Sequence, residues 1–441
     1  MSTIVRFAPS PTGRIHIGNA RTAILNWLMS RKENGQFILR YDDTDVARST
    51  LEFADGIATD IAWLGIVPDR VEWQSKRFGR YGEVVADMKA KGQLYPCYET
   101  ADELERRRKR QEARGGLRTY DRAALKLTAD ERSALEAQGR KPHWRFKLDH
   151  RVIEWNDLIR GPQHTDLASQ SDPVLVREDG SYLYTLPSVI DDIDFSITHV
   201  IRGEDHVTNA GVQVAITEAL GGTPPIYAHH SLLVGADGKG LSKRIGSLSI
   251  ASMREQGLEP MAVVSHAALL GTSDNIHPCA DIQELVDGFD LTKISRAPGR
   301  FDEKDLNQLN AKLLHMLPWN AVKHRLPDQT EAFWLAIRGN IEKFADTEFW
   351  DDVISQDLKI AQAEQDVEFI ATARAALPAE PWDSSTWKQW TDVLKTTTDR
   401  KGKSLFMPLR MVLTGMDHGP ELAALLPLIG RQKVFDRMGL V

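Results

Sequence analysis

The stretch Phe7-Ala8-Pro9-Ser10-Pro11-Thr12-Gly13-Arg14-Ile15-His16-Ile17-Gly18-Asn19 constrains this chain more than any other. Before it, Thr3-Ile4-Val5-Arg6-Phe7 is rich in β-branched residues and reads as a short buried strand. After it, Ile24, Leu25, Trp27 and Leu28 recur at helical spacing between Ala20 and Arg31. A strand, a Pro/Gly turn and a helix in this order aim a helix N-terminus at an anion. Gly13 and Gly18 have the spacing of a phosphate loop, but Asn19-Ala20 stands where a Walker A loop carries Lys-Ser/Thr. No Gly-x-Gly-x-x-Gly occurs, so a dinucleotide fingerprint is excluded. His16-Ile17-Gly18-Asn19 is left as the nucleotide candidate. His16 can donate to a phosphate there, and Gly18 lets a nucleotide approach the backbone; read alone, His16 is a structural cap.

A second stretch, Gly238-Lys239-Gly240-Leu241-Ser242-Lys243-Arg244, is Gly-rich and ends in cations. By itself it is equally a solvated basic loop. Near a triphosphate, its cations would stabilise the charge that develops as pyrophosphate departs. Together the two stretches resemble the two signature motifs of the class I aminoacyl-tRNA synthetases. The wording Arg6-Phe7-Ala8-Pro9-Ser10-Pro11-Thr12-Gly13 is similar to the bacterial-type glutamyl-tRNA synthetases. Glutaminyl and archaeal-eukaryotic glutamyl enzymes typically read Pro-Glu-Pro-Asn/Thr-Gly at that place.

The resemblance implies roles position by position. Pro11, Thr12, Gly13, His16, Gly18 and Asn19 would contact ATP from the first motif. Ser242, Lys243 and Arg244 would do so from the second, and Glu204, Leu232 and Leu233 from the strand ends between them. His16 and Lys243 are the implied catalytic pair. Gly240 replaces the first lysine of the family's Lys-Leu/Ile-Ser-Lys-Arg, and Lys239 stands one place earlier. Arg6, Ser10, Asp42, Tyr184 and Arg202 are the implied glutamate pocket. Two arginines suit a ligand with two carboxylates, since a guanidinium pairs a carboxylate in a fork. The family carries Glu where Asp42 stands and uses it on the amino group of glutamate. One methylene less lengthens that contact or routes it through water. Taken without the family, Tyr184 reads as a core aromatic and Arg202 as a surface ion pair.

The 441 residues allow roughly three domains. The hydrophobic share of 42% supports real cores, and no apolar run approaches the ~20 residues of a membrane helix. The start, Met1-Ser2-Thr3-Ile4-Val5-Arg6, lacks a signal-peptide layout. Only Cys97 and Cys279 are present, which excludes a disulfide framework and points to a reducing, cytoplasmic setting. A net charge of -7 excludes a generic polyanion binder, so any RNA must meet local basic patches.

Along the chain, Gln36–Tyr41 reads as a second strand, and 50–64 and 78–91 as helices. This alternation predicts an α/β fold with a parallel sheet. The resemblance specifies it as a class I Rossmann-like catalytic domain with an α+β insert, then a helical connector and an all-α anticodon-binding domain. The implied boundaries are 1–94 and 183–248 for the catalytic halves, 95–182 for an acceptor-binding insert, 249–327 for the connector and 328–441 for the anticodon domain. Within the insert, Arg106-Arg107-Arg108-Lys109-Arg110 is a solvated helix face or a tRNA contact. Some relatives bind zinc nearby through Cys-x-Cys and further ligands; here Cys97 is followed two places on by Glu99, and no structural zinc is expected. Val174 to Tyr182 carries a hairpin signal at Glu178-Asp179-Gly180, and Ile226 to Val234 reads as one strand. His229-His230 within it hints at a metal, but no third ligand has suitable spacing. Trp334, Trp350, Trp382, Trp387 and Trp390 are expected in a helical core.

The implied reaction is ATP-dependent activation of L-glutamate, with Mg2+ balancing the triphosphate, followed by transfer to tRNA-Glu. A form that charges tRNA-Gln with glutamate shares every motif. A non-catalytic tRNA-binding relative would have lost His16 or Lys243. The family is usually monomeric, and no membrane partner is expected.

Overall fold

The computed structural model describes residues 2–113, 119–241, 248–358 and 360–439. The chain divides into two compact units, Met1–Glu255 with Val263–Asp302, and Gln256–Ala262 with Glu303–Val441.

In the first unit, Ile4–Phe7 pairs in parallel with Gln36–Tyr41, which pairs in parallel with Arg70–Trp73. On its other side, the Ile4 N–H donates to Thr198 Oγ1 at 2.8 Å, and the Ile4 carbonyl accepts from the Thr198 N–H at 2.9 Å. These bonds seat the parallel pair His199–Gly203 and Ile226–His230 beside the first strand. The chain thus winds away from Ile4–Phe7 in both directions. The strand ends at Phe7, Tyr41, Gly203 and His230 frame the crevice where open α/β sheets take ligands.

The helices packed on this sheet start where their sequence dictates. Leu51–Trp63 begins after Thr50, whose hydroxyl accepts from the Phe53 N–H at 3.2 Å. Phe78–Ala90 buries Tyr81, Val84, Val85 and Met88, which meet Leu186, Val189 and Ile190 of Thr185–Asp194 in one core. Between the halves of this layer, Leu94–Cys97, His143–Phe146 and Val174–Val176 form an antiparallel sheet, and Val152–Asp157 with Gly161–Asp166 a hairpin. The expected turn at Gly180 is present, with φ at +85° and the Arg177 N–H donating to the Ser181 carbonyl at 2.8 Å.

One sequence expectation is corrected here. Ile226 to Val234 is two strands, Ile226–His230 and Leu233–Gly235, rather than one. The Ser231 carbonyl accepts from Arg21 Nη1 at 2.9 Å and lies 3.1 Å from His230 Nδ1, so side chains take the place of the ladder.

The second unit is helical from Glu303–Met316 to Arg431–Arg437. Trp334, Trp350 and Trp390 are buried in its core, while Trp382 and Trp387 pack against it half-buried. Trp390 is inaccessible and donates its indole N–H to the Ala373 carbonyl at 2.9 Å. Trp390→Ala should therefore cost this unit about 3–5 kcal/mol. Urea unfolding followed by tryptophan fluorescence measures it, and a loss under ~1 kcal/mol would remove Trp390 from its anchoring role.

Candidate active site

The first helix, Ile17–Lys32, is capped by His16. Its Nδ1 accepts from the Gly18 N–H at 3.0 Å, and the Asn19 side-chain oxygen accepts in return from the His16 N–H at 3.4 Å. With Nδ1 accepting, the neutral ring carries its proton on Nε2. Burial lowers the His16 pKa, which keeps the ring neutral. The cap therefore prepares a donor on the cavity side rather than competing with one. Gly18 is required by the same geometry, since a Cβ there would lie 2.9 Å from His16 Cε1.

Two further residues of this helix hold the opposite lip. Arg21, wholly buried, donates to the Ser231 carbonyl at 2.9 Å and the Leu270 carbonyl at 2.8 Å. Thr22 Oγ1 lies 2.9 Å from His230 Nε2, and burial pushes the His230 pKa down to about 3, so that ring is neutral.

The floor is a set of arginines and carboxylates. Arg40 Nε and Nη2 fork Asp42 at 2.7 and 3.2 Å, and Arg40 Nη1 donates to Asp192 Oδ1 at 2.8 Å. Burial opposes the Arg40 charge, but Asp42, Asp192 and Asp191 more than offset it and raise its pKa. Arg6 Nε leans on the same Asp192 oxygen at 3.3 Å. Arg202 differs from both. It is 8% exposed, and it donates to His229 Nε2 at 3.0 Å and to the His206 carbonyl at 3.4 Å. Among the described residues no carboxylate comes within ion-pair distance of it. Burial lowers its pKa.

These groups surround one cavity of about 800 Å³. Arg6, Ser10, Thr12, Gly13, His16, Gly18, Asn19, Asp42, Tyr184, Arg202, Leu232 and Leu233 all line it. Tyr184, read from the residues alone as core, is 42% exposed on its wall, because it precedes the helix Thr185–Asp194 at a surface turn. Arg202, read alone as a surface ion pair, is buried and has no such pair among the described residues. Pro11 and Glu204 are not on the lining. Glu204 is held by Arg160 Nη1 at 2.6 Å and accepts from the Leu232 N–H at 3.2 Å. Leu232 thus offers the cavity a side chain rather than a free N–H. Ser242, Lys243 and Arg244 lie outside the described residues; Leu241 and Leu248 on either side line the cavity.

Sequence reasoning missed Arg40, Asp157 and the buried role of His229. Apart from Asp42, two places from Arg40, the partners that matter are distant in the chain, and no spacing signals them. It also missed His143, which strand pairing sets beside Cys97; the ligand-capable atoms of Cys97, Glu99 and His143 lie within 4.8 Å of one another. Tyr120 already donates to Glu99 at 2.7 Å, and burial pushes the Cys97 thiol up to about 12. A single thiol beside a carboxylate already engaged by Tyr120 fits a structural zinc poorly.

A nucleotide-sized crevice at a switch point, a capping histidine and a buried cationic floor define a nucleotide-using enzyme that accepts an anionic co-substrate. Residues 2–308 match the family described as tRNA synthetases class I (E and Q), catalytic domain, and residues 336–440 match an anticodon binding domain. The chain belongs to this class I family and, within it, to the glutamate–tRNA ligases. It is 55% identical to glutamate–tRNA ligase 1 of Brucella ovis over 455 aligned positions, covering 99% of this chain and 100% of that one. Glutamate–tRNA ligase 2 of Brucella melitensis biotype 1 matches at the same 55%, with the same coverage. Crystal structures of a glutamate tRNA ligase from Elizabethkingia meningosepticum, in complex with its amino acid, and of a glutamate-tRNA synthetase from Elizabethkingia anophelis share the fold. Their TM-scores are 0.86 and 0.82 at 26% and 27% identity, covering 100% of this chain and 99% of each.

Enzymes of this family use ATP, generally with Mg2+. Among the described lining residues the carboxylates are Asp42, forked by Arg40, and Asp205. One available carboxylate suits a cation that arrives on the triphosphate rather than a resident Mg2+. No helix among the described residues is long and apolar enough to cross a membrane.

Proposed function

We propose that this cavity activates L-glutamate with ATP and passes the glutamyl group to the 3′-terminal adenosine of tRNA-Glu. The observation that carries the reading is Arg202, a buried guanidinium on the cavity wall with no carboxylate counter-ion among the described residues. A buried unpaired charge costs several kcal/mol, about what a ligand carboxylate would return.

Arg202 takes the side-chain carboxylate of glutamate, with Arg6 as a second cation beside it. This leaves the lone pairs of the α-carboxylate unengaged for attack. Ser10 and Tyr184 border the amino acid, while Asp42, committed to Arg40, acts on the amino group at most through water. Thr12, Gly13, Gly18 and Asn19 pass the phosphates, and Leu232 and Leu233 give adenine an apolar shelf. Glu204 holds that shelf from behind.

An α-carboxylate oxygen of glutamate bonds to the α-phosphorus, and the bond from that phosphorus to the bridging oxygen breaks, releasing pyrophosphate. His16 donates from Nε2 to the phosphate oxygens as their charge grows, and Lys243 with Ser242 and Arg244 supplies the opposing cation. Mg2+ arriving with ATP would supply further positive charge to the triphosphate. The 2′-hydroxyl of the terminal adenosine then bonds to the glutamyl carbon, AMP leaves with the electron pair, and the hydroxyl proton passes to the departing phosphate. No protein nucleophile is needed; positioning carries the rate.

We assign residues 95–182 to the acceptor end of tRNA, 249–327 to a connector and 328–441 to the anticodon, in a monomer. Charging of purified tRNA-Glu and tRNA-Gln with labelled glutamate tests the reading. Charging of tRNA-Glu alone is expected; charging of tRNA-Gln makes the enzyme a relaxed form, and charging of neither overturns the reading. Lys243→Ala should slow activation about 10²–10³-fold with tRNA affinity kept. Equal loss of both would make Lys243 structural.

A further inference from the structure

His229 and Asp157 have no place in the chemistry above. Both are inaccessible, at 0% and 1% exposure, and neither lines the cavity. Asp157 ends the strand Val152–Asp157 of the inserted hairpin, far in sequence from His229 on Ile226–His230. Its Oδ1 accepts from the N–H groups of Ile159, Arg160 and His229 at 3.0, 2.9 and 3.1 Å. Its Oδ2 lies 2.5 Å from His229 Nδ1. On the far side of the ring, Nε2 meets Arg202 Nε at 3.0 Å.

Only one proton assignment satisfies this run. A guanidinium Nε–H can only donate, so His229 Nε2 must be bare. The ring proton then sits on Nδ1, where an ionised Asp157 accepts it. Arg202 lines the cavity beyond this contact, with Nη2 also reaching the His206 carbonyl at 3.4 Å. We propose that Asp157 and His229 are positioning residues: they lock one histidine tautomer so that Arg202 presents its Nη edge to the substrate carboxylate. This rests on the reading of Arg202 as the partner of glutamate.

The other groups facing His229 are consistent with a ring kept neutral. Tyr227 stacks on it at 5.7 Å, Arg160 follows Asp157 in the turn, and His206 lies beyond Arg202. A second proton on His229 would set N–H against N–H at Arg202.

The test uses charging of tRNA-Glu by the full chain, with KM measured separately for glutamate and ATP. In Asp157→Asn, the Ile159 and Arg160 N–H groups on Oδ1 fix the amide oxygen there, while the His229 N–H, now shared between both oxygens at 3.1 and 3.2 Å, keeps its Oδ1 bond; the NH2 then faces His229 Nδ1. The ring proton must then move to Nε2, against Arg202, as in other tautomer-reversing Asp→Asn changes. Glutamate KM is expected to rise about 10–100-fold, with ATP KM within about threefold. His229→Gln keeps an acceptor and a donor and should stay within about fivefold, whereas His229→Leu should match Asp157→Asn. In the His229→Leu background, Asp157→Asn should add less than about twofold. Glutamate KM in the parent should rise as pH falls, and in His229→Gln this rise should disappear.

Equal rises in both KM values, or effects that multiply in the double variant, would make Asp157 a scaffold residue and overturn the proposal. If Asp157→Asn does not fold, the Gln and Leu variants at His229 decide alone, and equal KM values for the two overturn it. A raised glutamate KM in Arg202→Ala without one in Asp157→Asn defeats the relay and leaves the pocket standing. An unchanged KM in Arg202→Ala removes both.

Discussion

Arg202→Ala is expected to raise the KM for glutamate by about three orders of magnitude, while the KM for ATP moves by less than about threefold. The size follows from burial. Arg202 is 8% exposed and has no carboxylate of its own among the described residues, so a bound glutamate meets a desolvated charge that water screens little. Losing one member of a buried charge pair costs about 3–5 kcal/mol, because the other charge is stranded. Arg202→Lys should restore little of this. A lysine has no Nε–H at the height of His229 Nε2 and cannot fork a carboxylate. Arg6→Ala should cost less, about 10–100-fold in glutamate KM. Asp192, which Arg6 touches, keeps its shorter bond from Arg40 at 2.8 Å and is not stranded. Initial-rate charging at varied glutamate and varied ATP measures all three. An Arg202→Ala enzyme with unchanged glutamate dependence would remove the amino acid from this wall.

His16→Asn should separate the cap that His16 forms from the phosphate contact proposed for it. Asparagine is among the best N-cap residues, and its side-chain oxygen can accept from the Gly18 N–H as Nδ1 does now at 3.0 Å. Nothing in asparagine reaches as far as Nε2. Activation should therefore fall about 10²–10³-fold with thermal stability nearly unchanged. His16→Ala should lose the same rate and also about 1 kcal/mol of helix stability. Thermal melting beside pyrophosphate exchange, run with tRNA present, reads both. If His16→Asn retains parental activity, the histidine is a cap and nothing more.

The sign of the pH effect is fixed by the same contact. Burial lowers the His16 pKa below its ordinary 6.5, so protonation favours the unfolded chain. The cap's contribution is complete above about 6.5 and is lost as pH falls through the lowered value.

The local architecture was legible because it is written in short-range chemistry. The strand expected before Phe7 is Ile4–Phe7, the helices expected at 50–64 and 78–91 are Leu51–Trp63 and Phe78–Ala90, and Gln36–Tyr41 is reproduced to the residue. β-branched runs, a Thr N-cap and Pro/Gly punctuation act over a few residues, so sequence shows them directly. The single long strand at 226–234 was the exception. Its break at Ser231 is made by Arg21, a residue 210 positions away.

The candidate site divides in the same way. His16, Gly18 and Arg6 could be singled out because each stands in a contiguous motif whose backbone form is locally determined. What Arg202 is paired with could not be. Its hydrogen-bonding partner His229 belongs to a neighbouring strand, and the carboxylate orienting that histidine comes from a hairpin 72 residues earlier. The pairing of Asp42 with Arg40 was equally hidden, although only two residues separate them. Sequence placed Asp42 at a strand end; burial of Arg40 then drew the carboxylate to the only kind of partner that keeps an interior charge affordable. The sequence by itself determined the elements and the residue types at the turn, since those depend on near neighbours. The tertiary structure alone decided which charges are paired and which one is buried without a carboxylate among the described residues, because burial and partner choice are set by groups the chain brings together from far apart.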